Sequence, residues 1–103
     1  MARSLILPVA ERDILDLFEH HLDHSDRTAH ALANAVMAAV ERLEQFPESG
    51  SPRQEVMDDL RVVVLRRFRA NVFYTVTNRD GAPIVTVLRV FRQEREVSKA
   101  DFQ

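Results

Sequence analysis

Seven arginines in the second half of the chain, Arg61, Arg66, Arg67, Arg69, Arg89, Arg92 and Arg95, are interleaved with Phe68, Phe73, Tyr74 and Phe91. A guanidinium stays protonated under all ordinary conditions and offers a planar fork of donors to carboxylate or phosphate. The chemistry available to such a group is anion binding and charge stabilisation, not proton transfer. With aromatic rings between the cations it suits RNA or an acidic protein surface, and the spacing does not separate the two. The plain alternative is a set of arginines solvating the outer face of a sheet. His20 and His24 lie four apart on one helical face with Asp16 one turn earlier, the spacing of two metal ligands. The remaining histidines are His21 and His30 and there is no cysteine, so third and fourth ligands are lacking and the pair reads as solvated surface. No metal and no cofactor is expected. Ser4, Ser25, Ser49, Ser51 and Ser98 sit in no nucleophile elbow or triad context, and no Gly-rich loop is present for phosphate. A hydrolase or a nucleotide-dependent enzyme is therefore not expected.

The charge distribution sharpens the same feature. Residues 1–50 carry four basic and nine acidic side chains (4 − 9 = −5), and residues 51–103 carry ten and seven (10 − 7 = +3), giving the net −2 of the whole chain. Between Arg61 and Arg95 there are eight arginines against Asp80 and Glu94. A cationic stretch in an acidic chain is suited to an anionic partner.

A chain of 103 residues, 46% hydrophobic and 29% charged, with two glycines and four prolines, fits one folded domain over 1–103. No apolar run reaches the length of a membrane span and the N-terminus lacks the layout of a secretory signal, so a cytoplasmic protein with no membrane association is expected. The absence of cysteine excludes disulfides, thiolate nucleophiles and Cys-based zinc sites.

The elements that must position the arginines can be read from periodicity. Leu5, Ile6 and Leu7 form a short first strand that stops at Pro8, which suits the first turn of a helix. Ala10, Ile14, Leu17, Phe18 and His21 then recur at helical spacing to about Asp23. Ser25 or Asp26 caps a second helix whose stripe is Ala29, Leu32, Ala33, Val36, Met37, Val40 and Leu43, ending by Phe46 before Pro47. Residues 48–52 read as a loop. β-branched and aromatic segments near 60–66, 70–77 and 83–91 predict three strands, with Asp80-Gly81 as a hairpin turn and Arg67 to Arg69 as another tight turn. Val62 to Leu65, apolar on both faces, suggests a strand covered in part on both sides. The order β-α-α-β-β-β predicts an α+β fold, a helical hairpin packed on a small antiparallel sheet. Leu15 and Leu22, seven apart and off the buried stripe, align on the outer side of the first helix and suggest a partner groove.

Ala10 followed by Asp13-Ile14, the Phe46-Pro47-Glu48-Ser49-Gly50 loop, Leu60-Arg61, the strand Phe73-Tyr74-x-Val76, and Leu88-Arg89-Val90-Phe91 trailing into Arg92 and Arg95 together resemble the RelE/ParE superfamily of type II toxin–antitoxin toxins. The resemblance spans almost the whole chain in the right order, and its β-α-α-β-β-β fold is the one derived above from the residues. RelE-like members cut messenger RNA in the ribosomal A site and ParE-like members inhibit DNA gyrase. RelE-like cleavage relies on lysines, sheet arginines and a tyrosine near the C-terminus. Here the lysine is Lys99, the tyrosine is Tyr74 within a strand, and Val97-Ser98 stand where the C-terminal tyrosine would be. Arg92-Gln93 occupy the place of a His-Gly pair found in many ParE-like chains.

The resemblance therefore implies a ParE-like inhibitor that acts by binding gyrase and has no catalytic residues. A RelE-like ribonuclease and a non-toxic degenerate binding module are the alternatives. It implies Arg61, Arg89, Arg92 and Arg95 as target contacts. It also implies a cognate, ParD-like antitoxin held through Leu15, Leu22, Arg66, Arg67, Phe68, Arg69 and Phe73 in a hetero-oligomer. DNA would be reached only through that antitoxin.

Overall fold

The computed structural model describes residues 2–103. Its elements are β1 (Arg3–Ile6), α1 (Pro8–Leu22), α2 (Asp26–Gln45), β2 (Ser51–Pro52), β3 (Arg61–Leu65), β4 (Ala70–Arg79) and β5 (Ala82–Arg92). Short 3-10 turns follow β3 (Arg66–Phe68) and close the chain (Lys99–Phe102). The α+β class is as read from the sequence, and so is the order of elements apart from one additional short strand, β2.

Local chemistry fixes the helix ends. Pro8 stands at the start of α1, where its missing N–H is no loss, and the Leu7 carbonyl accepts from Glu11 N–H at 2.9 Å. Ser25 caps α2, its side chain accepting from Thr28 N–H. The buried stripe of α2 is Ala29, Leu32, Val36, Val40 and Leu43. Ala33 is half-buried and Met37 is 51% exposed, so these two members of the expected stripe fall at its margin. They lie one position beyond Leu32 and Val36, about 100° further round the helix, which turns them out of the interface.

The sheet has the order β1-β5-β4-β3-β2. β3, β4 and β5 form the expected antiparallel meander, while β1 lies parallel to β5 with Ile6 opposite Val87, so the sheet is mixed. β2 falls where the sequence predicts a loop: Ser51 pairs with Val62 and Pro52 with Arg61 at the sheet edge, where a proline is tolerated. Asp80 and Gly81 both have positive φ, 53° and 81°, the two-residue turn that matches the twist of a hairpin. The other tight turn ends on Arg69, also left-handed at φ 51°.

Leu32, Val36 and Val40 of α2 with Ala10 and Leu17 of α1 pack on Ala70, Val72, Val87 and Val90. Leu43, Tyr74 and Val85 continue that layer towards the far end of the sheet. A register shift between Phe73 and Tyr74 leaves Leu88 as an extra residue in β5, so Val85, Val87 and Val90 all join the helix-side core despite the odd spacing of the last two. The opposite face is also covered. Leu60, Val62, Phe73 and Phe91 are buried there beneath Val56, Met57, Val97 and Phe102, which makes β3 a strand covered in part on both sides.

Candidate functional site: an arginine-rich face

β1 ends opposite Val87, and beyond that point the edge of β5 is taken over by α1. Leu7 N–H donates to the Val87 carbonyl at 3.1 Å, and Val90 N–H donates to Asp13 Oδ2 at 3.0 Å. The same carboxylate receives Arg89 in a two-pronged pair, Nε to Oδ2 at 2.7 Å and Nη2 to Oδ1 at 2.9 Å. Both side chains are largely buried, 22% and 11% exposed, so the pair is held well away from solvent. The Asp13 hydrogen bond raises the affinity of Arg89 for its proton, partly opposed by burial.

The C-terminal turn completes the arrangement. Arg89 Nη1 donates to the Asp101 carbonyl at 3.2 Å, and Arg95 Nη2 donates to Asp101 Oδ1 at 2.9 Å. Asp101 Oδ2 accepts from Ser98 N–H in a reciprocal capping box. The hydrogen bond from Arg95, then that from Ser98 N–H, hold the Asp101 carboxyl down at about 2. Arg89 and Arg95 both stack on Phe91, with guanidinium carbons 4.5 and 4.0 Å from its ring centre. Arg92 is exposed, and its nearest acid, Glu94, is 3.9 Å away. Arg89, Arg92 and Arg95 thus line one groove of about 550 Å³ together with Asp13, Asp16, His20 and Glu94.

Arg61 does not join them. Its Nη1 donates to the carbonyls of Glu48 and Gly50 at 2.9 and 2.8 Å and ties the loop after α2 to β3. Tyr74, fully buried on the neighbouring strand, completes the latch: its hydroxyl donates to the Pro47 carbonyl at 2.8 Å and accepts from Gly50 N–H at 2.9 Å. Burial raises the Tyr74 pKa above its ordinary value. A Cβ on Gly50 would stand 2.5 Å from the Tyr74 hydroxyl oxygen and 2.9 Å from the Val62 carbonyl, so only glycine fits there. The Pro-Glu-Ser-Gly loop is therefore a latch that fixes the end of α2 on the sheet.

The residues expected to meet an antitoxin divide in two. Leu15 and Leu22 are exposed on the outer side of α1, as read from their spacing, and Arg66, Arg67 and Arg69 are exposed at the β3–β4 turn. None of these three arginines has an acidic partner among the described residues. Beside Arg66 and Arg67 opens a groove walled by Ala31, Asn34, Ala35 and Leu65. Phe68 and Phe73, by contrast, are core residues and not surface contacts. Phe68 is buried in the helix-side layer with its ring edge-on to His21, and Phe73 is 1% exposed between Phe91 and Phe102. Their aromatic character says nothing about which face they occupy, and the C-terminal segment that covers Phe73 has no strong periodic signal. On α1, burial and then the neighbouring His20 and His24 hold the His21 pKa below its ordinary value.

Sequence reasoning missed Asp13 as the anchor of Arg89, because the two are 76 residues apart, and missed Asp101 in the C-terminal turn. Asp13 stands in the sequence only as part of the Asp13-Ile14 pair of the resemblance.

The family described as ParE toxin of type II toxin–antitoxin system, parDE, matches residues 5–97. The chain belongs to the ParE toxin family. Among solved structures, a chain from the chromosomal ParDE TA system of P. aeruginosa superposes with a TM-score of 0.75 at 19% identity, covering 91% of this chain and 98% of that one. At that identity the likeness concerns the fold. No curated protein matches significantly. For this ParE-family chain, the order β-α-α-β with a following meander is thus a property shared with a ParDE component.

Proposed function

We propose that this ParE-family chain is the toxin of a type II toxin–antitoxin pair, that it inhibits DNA gyrase by binding and not by catalysis, and that a cognate antitoxin neutralises it. The observation that carries the binding reading is the state of the arginines and of Tyr74. Arg89 is locked to Asp13, Arg61 is used by the loop latch, and the Tyr74 hydroxyl is buried with both of its hydrogen-bonding roles filled. Of the arginines singled out in the sequence, those left exposed are Arg92 and the Asp101-paired Arg95 at the groove, and Arg66, Arg67 and Arg69 at the turn. Such a surface recognises an acidic or anionic partner and moves no protons.

Arg92 and Arg95 are the target contacts in this reading, with Arg89 holding the groove in shape. Leu15 and Leu22, and the groove beside Arg66 and Arg67, receive the antitoxin, whose matching segment carries apolar residues and acids. Induction without the antitoxin, followed by separate pulse labelling of DNA and protein synthesis, tests the proposal. Early loss of DNA synthesis with filamentation supports it, and early loss of protein synthesis overturns it.

One observation favours a second reading. His20, an imidazole with one nitrogen to donate and one to accept a proton, borders the groove of Arg89, Arg92 and Arg95 and so brings a proton-transfer group to it. A ribosome-dependent ribonuclease built on this groove would lose its activity in His20→Ala. A gyrase inhibitor would keep its own.

A further inference from the structure

We propose that the antitoxin lays an extended, acidic segment along the free edge of β3 and adds a strand to the sheet there. The inference rests on the reading of this chain as the toxin of a pair, and it specifies what fills the groove beside Arg66 and Arg67. On its side of the sheet β3 is followed only by β2, which covers Arg61 and Val62 and no further residue. In an antiparallel strand the N–H and carbonyl of one residue point to the same side, and the side alternates from residue to residue. Arg53 N–H donates to the Leu60 carbonyl on the β2 side at 2.8 Å, so Val62 and Val64 face that side too. The far end of the ladder agrees. Gln93 N–H donates to the Arg69 carbonyl at 2.7 Å, which turns Ala70 and Val72 towards Leu65 and Val63 and leaves Val64 facing outwards.

Val64 therefore directs a donor and an acceptor off the sheet, and neither has a hydrogen-bonding partner among the described residues. Its side chain is 40% exposed beside them. An unpaired edge of this kind is a template for a further strand. A helix has its backbone groups bonded within itself and makes no use of it.

Charge selects the occupant. The trough between this edge and α2 has Ala35 and Ala38 on its helix wall, small enough for a backbone to approach, with Arg66 and Arg67 at one end and Arg42 at the other. Among the described residues no acid lines the trough, and none of these three arginines has an acidic partner. A segment with β-branched residues opposite Val64 and acids towards the arginines matches both the backbone groups and the charge. A second copy of this chain does not fit. Twofold antiparallel pairing centred on Val64 sets Arg66 of each copy opposite Val62 of the other, where Ser51 already lies.

The test uses the full chain and the antitoxin encoded by the neighbouring gene. Amide hydrogen exchange, read residue by residue by NMR, should show Val64 N–H slowed by about tenfold or more in the complex relative to the free chain. Val64→Pro removes a donor that points off the edge and so keeps the ladder to β4, yet it should weaken binding in calorimetry by about fivefold to tenfold. Arg66→Ala combined with Arg67→Ala should weaken binding and flatten its dependence on salt, while Arg79→Ala, exposed at the end of β4, leaves both unchanged. Should Val64→Pro fail to fold, Ala38→Trp fills the trough from the exposed side of α2 and should give the same loss. A complex that forms with Val64 exchange unchanged, or with full affinity in Val64→Pro or Ala38→Trp, overturns the added strand and leaves the toxin–antitoxin reading standing. No complex at all overturns both.

Discussion

Replacing Tyr74 by phenylalanine isolates the latch that holds the loop after α2 on the sheet. The ring stays and no cavity larger than a hydroxyl opens, but two hydrogen bonds go: the one donated to the Pro47 carbonyl and the one accepted from Gly50 N–H. The Gly50 bond is buried, so its N–H is left without a partner at a cost of about 1–3 kcal/mol. The Pro47 contact is only partly buried and its carbonyl can turn to water, so its loss adds about 0.5–1 kcal/mol. The total is about 1.5–4 kcal/mol, which for a domain of this size lowers the melting temperature by about 7–18 °C. Urea unfolding followed by far-UV circular dichroism measures it, with the midpoint falling and the slope m unchanged. A loss below about 0.5 kcal/mol would refute the latch. The companion change Gly50→Ala should cost at least as much, because its Cβ also meets the immobile Val62 carbonyl at 2.9 Å.

Other outcomes follow from the groove. A double-mutant cycle between Asp13→Ala and Arg89→Ala should give a coupling of about 1.5–3 kcal/mol in unfolding free energy, since the pair is two-pronged and largely shielded. The Asp101 pKa is depressed from 3.8 to about 2, so its stabilisation is complete above about pH 4 and is lost as the pH falls towards 2. The difference in melting temperature between the parent and Asp101→Asn should accordingly shrink across that window. Arg92→Ala should abolish growth arrest on induction while leaving the melting temperature within about 2 °C, because its nearest acid is 3.9 Å away and both partners are exposed.

The sequence showed most plainly what is decided within a few residues. Pro8 as a helix opener, Ser25 as a cap, Asp80-Gly81 as a hairpin turn and the 29-32-36-40-43 stripe of α2 all act through local geometry, and each is where its residue type requires. Features decided by distant partners were not legible. The parallel placement of β1 depends on where α2 returns the chain, and β2 exists only because β3 offers it an edge. The bulge at Leu88 carries no residue signature, yet it sets which side chains of β5 reach the helices. The arginines stand out in the sequence as a group, but their division into locked and free could not be read from them. It is decided by Asp13, Asp101 and the carbonyls of Glu48 and Gly50. Phe68 and Phe73 were placed at a partner surface because aromatic residues among arginines look alike whether they face a ligand or a core.

Gyrase inhibition by binding is tested most directly with purified components. Relaxed plasmid, gyrase and ATP are incubated with this chain, and supercoiling is read on a gel beside the Arg92→Ala variant and beside translating ribosomes with a defined messenger RNA. The account predicts that supercoiling is blocked by the parent chain, is restored with Arg92→Ala, and that the messenger stays intact. Normal supercoiling together with a cleaved messenger would contradict it.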